Sequence, residues 1–385
     1  MSDHPKEDFT IDPELDSIWK KHGRPKFFFP RRDNMAESRR LHSMGSVRFM
    51  KSKFVKETLG SASPRPWTEE DRQLPVRDGT SITIRIYRPR LPRGPSPVMV
   101  FSHSGGWCMG SLDTEEFICQ LLCIRLNLVI FSVGYRLAPE YPYPTGCYDV
   151  FDTIKWVATN AASFGGDLFQ GFITGGVSGG GNHTVEATIL ARNEGLQPKL
   201  TGHVYICTGM PHDYQDQQGR KCALYPEKLT SGSWARYRNG PVANYEMNMY
   251  YAGSSTFSVL LLLFSPGCVD MCVLTRLICD EPDLANCNAH DPLFSPLTLS
   301  DFSGLGPIYY QIAGMDMWAD SAFFYCDKVQ KAGGTVKIDF YPGVFHCWYA
   351  FYPELTMTKK WARDLINGVE WLLRKKGDEK VLSRI

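Results

Sequence analysis

The sequence predicts an α/β protein in which helices flank a mostly parallel central sheet. Three continuously apolar runs have the character of strands covered on both faces, namely PVMVFSH (97–103), NLVIFSVGY (127–135) and GFITGG (171–176). Segments with helical periodicity follow each of them, at 114–126, 147–162 and 183–194. Because strands and helices alternate, the strands are expected to run parallel, with the functional loops at one edge of the sheet.

The flanking segments continue this alternation. PVRDGTSITIRIYRP (75–89) predicts two strands around an Asp78–Gly79 turn. Further strands are predicted at 203–207, 308–314 and 336–343, and further helices at 320–332 and 355–375. No strand alternation precedes residue 76. We therefore predict an N-terminal helical cap segment (1–75), a core (76–385) and an inserted cap region within the core (210–290).

Charge and composition argue against several classes of protein. The 42 basic and 41 acidic side chains give a net charge of +1, so no nucleic-acid partner is expected. The N-terminal MSDHPKEDFT lacks the apolar run of a secretory signal, and the longest apolar run, 259–264, is too short for a bilayer of about 30 Å. We expect a cytoplasmic protein without a stable membrane span, and we expect its twelve cysteines to be free thiols.

One basic cluster lies near the N-terminus and comprises Arg31, Arg32, Arg39 and Arg40. Asp33 and Glu37 lie among these arginines. This mixture of charges predicts a solvated helix face, with a specific partner as the alternative.

A candidate nucleophile follows the third apolar run. Residues 176–180, with the sequence GVSGG, match the pattern G-x-S-x-G and centre on Ser178. A serine on a tight turn from strand to helix holds its hydroxyl exposed, and Gly176 and Gly180 leave room for neighbouring backbone. The helix N-terminus also favours developing negative charge. On this motif alone, a structural glycine loop or a phosphate cradle remains the alternative.

A second constellation, HSGGW (103–107), follows the strand at 97–102. Backbone amides of a glycine turn bind an oxyanion well because no side chain blocks their approach. Taken alone, the same residues could form an ordinary turn at the end of a strand.

Six motifs then occur in a familiar order: HSGGW, YRLAPEYPYP (135–144), FGGDLFQGFITGGVSGGGN (164–182), DPLFSP (291–296), IAGMDMWAD (312–320) and YPGVFH (341–346). With them the chain resembles the hormone-sensitive-lipase-like family of α/β-hydrolases, which carries an HGG-type oxyanion motif. The resemblance covers about 75–210 and 288–385. The motif sequences most resemble those of fungal members, many of which are esterases of secondary-metabolite pathways. The resemblance implies the α/β-hydrolase fold with a helical cap.

The resemblance implies a role for each matching residue. Ser178 corresponds to the nucleophile, Asp316 to the triad acid and His346 to the general base, in the chain order expected for this fold. Asp316 and His346 also follow predicted strands, which places them at the same sheet edge as Ser178. Asp320, one helical turn beyond Asp316, is the rival acid, for which helix capping or support of the site is the alternative role.

The resemblance also implies the groups around the triad. The oxyanion hole would be formed by the amides of Gly105, Gly106 and Gly179. The supporting motif residues would be His103, Gly176 and Gly180. No metal and no organic cofactor is expected.

Four positions depart from the family pattern. Ser104 replaces the first glycine of the HGG run, and Gly134 precedes YRLAPE where an asparagine or aspartate is common. Val177 and Gly179 flank the nucleophile where relatives often carry an acid and an alanine. None of these changes removes a catalytic atom, although Gly179 adds backbone freedom.

The segment 253–287, GSSTFSVLLLLFSPGCVDMCVLTRLICDEPDLANC, has no recognisable helical or strand pattern. It could be a cap element with an unusual loop, or 253–279 could be translated intron. A metal site formed by Cys268, Cys272, Cys279 and Cys287 is a third interpretation. The spacing of these cysteines lacks the paired C-x₂-C motifs of structural zinc sites.

The expected activity is hydrolysis of a carboxylic ester of a small apolar or polyketide-like substrate through an acyl-enzyme. Lactonase, deacetylase, thioesterase or amidase chemistry would use the same residues. A hydrolase-fold receptor for a small molecule and an inactive product are the non-enzymatic alternatives. Trp107, Trp318 and Trp348 flank the motifs and predict either an aromatic substrate pocket or simple packing.

Overall fold

A computed structural model describes residues 10–23, 35–210 and 291–374. The strands are β1 Trp67–Pro75, β2 Ser81–Pro89, β3 Val98–Ser102, β4 Val129–Gly134, β5 Phe172–Val177, β6 Gly202–Ile206, β7 Ile308–Ala313 and β8 Val336–Tyr341. The helices are α1 Pro13–His22, α2 Met35–Met50, α3 Lys53–Leu59, α4 Glu116–Leu126, α5 Thr145–Asn160, α6 Ser178–Asn193, α7 Ala319–Lys331, α8 Trp348–Phe351 and α9 Thr356–Leu373. The segment 253–287 and its four cysteines lie outside these residues.

The strands form one eight-stranded sheet in the order β1-β2-β4-β3-β5-β6-β7-β8. Strands β1, β2 and β4 pair antiparallel, and every pair from β4 to β8 is parallel. The predicted mostly parallel sheet flanked by helices is therefore confirmed. Because β3, β5, β6, β7 and β8 are parallel, their carboxyl ends share one edge of the sheet, where the candidate site lies.

One expectation about the strands is wrong. β1 precedes residue 76 and pairs along its length with β2, from Trp67 opposite Pro89 to Pro75 opposite Ser81. It is an edge strand in which only Trp67 and Leu74 are buried, so its charged sequence WTEEDRQLP shows no apolar alternation. The N-terminal helices end at Leu59, and the division into cap and core remains a prediction.

The core lies on both faces of the sheet. Along β3, Met99 and Phe101 belong to one apolar cluster, and Val98 and Val100 belong to the other, since successive strand side chains point to opposite faces. All four side chains are at most 1% exposed. Each buried side chain of this size contributes about 1.5–3 kcal/mol relative to exposure. This double coverage explains why the strand reads as a continuous apolar run in the sequence.

Helix α1 lies over the loop that carries His346. Its first turn is capped by the Asp12 carboxylate, which accepts from the backbone N–H groups of Glu14 and Leu15, each at 3.0 Å. The Trp19 indole N–H donates to the Tyr352 hydroxyl at 3.0 Å. Helix α1 is thereby held against the part of the chain that contains Tyr352.

Helix α2 carries two of the arginines that were expected to form a solvated face. Arg40 fits that description, because it pairs with Glu37 of its own helix and is 57% exposed. For Arg39 the expectation is wrong, because this side chain donates hydrogen bonds to Cys108, Ala138 and Glu140, which lie in two loops of the sheet domain. Arg31 and Arg32 lie outside the described residues. Within the described ranges, no helix combines the length and the apolarity that a membrane crossing requires.

Candidate active site

Ser178 lies at the junction of β5 and α6. Its φ of 52° is in the left-handed region, which costs a residue other than glycine about 1–3 kcal/mol and marks a sharp turn. A Cβ at Gly180 would overlap the carbonyl oxygens of Ser102 and His103, and one at Gly176 would lie 2.6 Å from the Gly180 oxygen. These two glycines therefore allow the helix to start against the end of β3.

A hydrogen-bonded chain connects Ser178 to the ends of two other strands. The Ser178 Oγ lies 2.8 Å from His346 Nε2, and His346 Nδ1 lies 2.6 Å from Asp316 Oδ2. Asp316 follows β7, and its other oxygen accepts from the backbone N–H of Trp318 at 3.1 Å. The structure thus brings together the three predicted residues, with Asp316 at the imidazole. Asp320, the rival acid, lies in the first turn of α7.

The surroundings of His346 make its imidazole a strong base. Burial lowers the pKa of His346, but the charge of Asp316 and its hydrogen bond raise it, and the net pKa is about 9. Asp316 is 2% exposed and His346 is 8% exposed, so little water weakens this interaction. In the neutral tautomer, Nδ1–H donates a hydrogen bond to Asp316, and Nε2 accepts a hydrogen bond from the Ser178 hydroxyl.

Two of the three predicted oxyanion residues lie in a glycine loop, defined here as 104–109. Gly105 and Gly106 have φ angles of 131° and 56°, and the Met109 N–H closes the turn on the Gly105 oxygen at 2.9 Å. Gly179 abuts this loop, since a Cβ there would lie 3.3 Å from the Gly106 nitrogen. All three glycines line the same cavity as Ser178.

His103 immediately precedes the glycine loop and supports it. Its ring stacks on Tyr135 at 4.2 Å, and the Tyr135 hydroxyl donates to the His103 oxygen at 2.8 Å. Burial lowers the pKa of His103 to about 4, so this imidazole is neutral near pH 7. The predicted supporting role is therefore compatible with its position.

Sequence reasoning missed three further residues at this site. Glu115, 6% exposed, accepts from the Ser104 N–H at 3.2 Å, and burial raises its pKa to about 7. The thiols of Cys207 and Cys347 hydrogen-bond to each other beside His346, which lowers the pKa of Cys207. Only Glu115 carried a sequence signal, as an acidic residue at the start of an apolar helix.

A cavity of about 1120 Å³ opens in front of Ser178 and His346. Its aromatic lining includes Phe49, Trp107, Phe117, Trp318 and Tyr349. Of the three predicted pocket tryptophans, Trp348 instead packs in the core against Tyr341, with ring centroids 5.0 Å apart. Volume and lining suit an organic molecule with a sizeable apolar part.

The sequence and the fold both match known proteins. The sequence model of the family described as the alpha/beta hydrolase fold matches residues 99–258 and 271–350. The chain belongs to this family. An AB hydrolase superfamily protein of Schizosaccharomyces pombe is 30% identical to this α/β-hydrolase, over 95% of each chain. An arylesterase of Saccharolobus solfataricus is 31% identical over 72% of the chain and 77% of that relative.

Among solved structures, that of a vibralactone cyclase matches this α/β-hydrolase with a TM-score of 0.76 at 26% identity, over 94% of the chain and 95% of the other. The predicted resemblance to hormone-sensitive-lipase-like hydrolases is confirmed, and the protein is a carboxylesterase-like hydrolase. The family match leaves out 259–270, which lies inside the segment of unusual composition.

Proposed function

We propose that the protein is a serine carboxylesterase that uses Ser178 as nucleophile, His346 as general base and Asp316 as the residue that orients the base. The observation that carries this proposal is the chain of contacts at 2.8 Å and 2.6 Å, which ends at a cavity beside a glycine loop. Nucleophile and base within hydrogen-bond reach, with the base oriented by a third group, is the arrangement needed for acyl transfer.

The reaction follows from these positions. His346 Nε2 takes the proton of Ser178 as Oγ attacks the ester carbonyl, and Asp316 stabilises the resulting imidazolium. The amides of Gly105, Gly106 and Gly179 stabilise the oxyanion, where the loss of one donor typically costs about 3–4 kcal/mol. His346 then protonates the leaving alcohol. Water, activated by the same imidazole, hydrolyses the acyl-enzyme and returns the proton to Ser178.

The substrate is proposed to be an ester of a small apolar or polyketide-like molecule, in keeping with the aromatic lining of the cavity. Lactones, thioesters, acetylated compounds and amides would react through the same groups, so the structure favours none of them. A receptor role is disfavoured, because a receptor needs no hydrogen-bonded triad. A cytoplasmic location and a role in fungal secondary metabolism remain predictions.

The first test is hydrolysis of p-nitrophenyl esters with acyl chains from C2 to C12. We expect activity in the full chain, and we expect Ser178→Ala to lower kcat by about 10⁶-fold because no nucleophile remains. A folded Ser178→Ala variant that keeps the wild-type rate would overturn the assignment. A second form of the protein lacks residues 253–279. If neither the full chain nor this shortened form hydrolyses any ester, the esterase proposal fails and receptor function becomes the stronger hypothesis.

The shortened form lacks 253–279 and tests the proposal that this segment is translated intron. The gap in the family match at 259–270 supports an added segment. Activity confined to the shortened form would support the intron proposal, and transcript reads that run continuously through the segment would refute it.

A further inference from the structure

Helix α2 forms one wall of the active-site cavity. Leu41, His42 and Phe49 of this helix line the cavity that also contains Ser178 and His346. The Phe49 ring meets the Phe117 ring of α4 edge-on, with centroids 5.4 Å apart. The position of α2 therefore determines how much space a substrate finds beyond the catalytic serine.

Arg39 connects α2 to two loops of the hydrolase fold. Its Nε donates to the Cys108 oxygen at 2.8 Å, and Nη2 donates to the Ala138 oxygen at 3.0 Å. Nη1 and Nη2 also donate to the two oxygens of Glu140, at 2.9 and 2.6 Å. The side chain is 30% exposed, so these charge-assisted bonds are partly shielded from water.

The partners of Arg39 belong to two loops that are themselves joined. Cys108 lies in the glycine loop, whereas Ala138 and Glu140 lie in the YRLAPE loop. The Ala138 N–H donates to the Trp107 oxygen at 3.0 Å, which connects the two loops. Arg39 thus attaches α2 to two joined loops, and its planar guanidinium reaches all of these acceptors at once.

We propose that Arg39 is a specificity-determining residue that fixes α2 over the cavity and so favours esters whose acyl group extends from Ser178 to α2. Such a group would contact Leu41 and Phe49, which supplies binding energy far from the reacting carbonyl. An ester with a two-carbon acyl group lacks this part and gains little from an ordered α2. The inference rests on the proposed esterase function.

Arg40 supplies a matched control. It is the next residue of the same helix and has the same charge, but it pairs with Glu37 three positions earlier, through Nε and Nη2, each at 2.6 Å. Arg40→Ala changes the charge and the helix propensity of α2 as Arg39→Ala does. Arg40→Ala leaves the contacts between α2 and the two loops in place.

The experiment compares kcat and KM for p-nitrophenyl acetate and p-nitrophenyl octanoate in the full chain and in Arg39→Ala, Arg39→Lys and Arg40→Ala. We expect Arg39→Ala to raise the ratio of the octanoate KM to the acetate KM about tenfold, because remote apolar contacts are lost. Arg39→Lys should behave nearly like Arg39→Ala, since an ammonium cannot form the fork. Arg40→Ala should leave the ratio at the wild-type value.

Hydrogen exchange supplies a readout that does not depend on catalysis. Amides of 35–50 should exchange faster in Arg39→Ala than in Arg40→Ala, because α2 loses its attachment. An equal KM ratio in Arg39→Ala and Arg40→Ala would overturn the inference. A changed KM ratio in Arg39→Ala with unchanged hydrogen exchange in α2 would overturn it as well. Should Arg39→Ala fail to fold, Glu140→Gln weakens the same fork from a partner that is 51% exposed. Absence of Ser178-dependent hydrolysis in the wild type would instead refute the esterase function.

Discussion

At the residue scale, two similarly buried histidines of this site have pKa values shifted in opposite directions. Burial lowers the pKa of His103 to about 4, and no carboxylate lies against its ring to reverse that effect among the described residues. At His346 the Asp316 carboxylate outweighs burial and raises the pKa to about 9. Position beside an acid, and not burial itself, therefore separates the neutral supporting imidazole from the proposed base.

The raised pKa of His346 predicts an alkaline pH profile. The base must be unprotonated to accept the Ser178 proton, so kcat/KM should rise about tenfold per pH unit up to a midpoint near 9. Asp316→Asn removes the charge that raises this pKa. The midpoint should then move to lower pH, while the maximal rate falls by about 10³–10⁴-fold. Initial rates with a soluble ester from pH 5 to 10 measure both effects. A midpoint that stays in place in Asp316→Asn would contradict the assignment of the triad acid.

Glu115 should act on the glycine loop through the amide of Ser104. Glu115→Ala is expected to lower kcat about tenfold with little change in KM, because a loosened loop weakens oxyanion stabilisation more than substrate binding. Glu115→Gln keeps an acceptor oxygen for the Ser104 N–H and should retain most of kcat. Steady-state kinetics of the two variants test this. Equal losses of kcat would indicate that the carboxyl acts by its charge and not by the contact.

At the element scale, the turn from β5 into α6 depends on backbone that passes at close range. The carbonyl oxygens of Ser102 and His103, at the end of β3, occupy the space that a side chain at position 180 would need. The first turn of α6 can therefore approach β3 only with glycine at this position. This approach also brings Gly179 against the glycine loop.

Two substitutions of helical glycines should have opposite effects on stability. Gly180→Ala is expected to lower the free energy of unfolding by about 1–3 kcal/mol or more, because its Cβ meets backbone that cannot rotate away. A Cβ at Gly45 of α2 would meet no atom within 4 Å, so Gly45→Ala should raise stability by about 0.5–1 kcal/mol. Urea unfolding curves of both variants give these values. A loss of stability in Gly45→Ala would show that α2 is constrained more tightly than its contacts indicate.

At the scale of the whole molecule, arginine–aspartate pairs connect the antiparallel end of the sheet to the helical layer. Arg136, after β4, pairs with Asp149 of α5 at 2.7 Å and with Asp78 of the β1–β2 turn at 2.5 Å. Asp149 is fully buried, and it also accepts from the Arg136 backbone N–H at 2.9 Å. One arginine therefore joins the β1–β2 turn, the loop after β4 and helix α5.

Removal of Asp149 should destabilise the whole protein. Asp149→Ala is expected to lower the free energy of unfolding by about 3–5 kcal/mol, because the Arg136 guanidinium, only 13% exposed, keeps its charge without its buried partner. Glu57→Ala is the control, since Glu57 is 61% exposed and pairs with an exposed lysine. That change should stay within about 0.5 kcal/mol. Equal shifts in denaturant midpoint would contradict the argument from burial.

Much of this architecture could be predicted from the sequence, because buried parallel strands are continuously apolar. The strands β3 to β8 lie within two residues of their predicted bounds, and α4 to α7 follow their predicted segments except that α6 starts earlier. β1 escaped prediction because its side chains mostly face solvent. The residues of the hydrogen-bonded chain were predictable too, since Ser178, Asp316 and His346 each lie in a motif that ends a strand.

The sequence by itself determined the fold class, the order of the motifs and the identity of the proposed nucleophile, acid and base, because these depend on local patterns and on the resemblance of the motifs to those of a known family. Only the tertiary structure decided the contacts of Arg39, whose partners are 69, 99 and 101 positions away along the chain. The pKa of His346 likewise depends on burial and on a carboxylate 30 positions earlier. No local pattern encodes such distances, because they exist only after the sheet brings the ends of its strands to one edge.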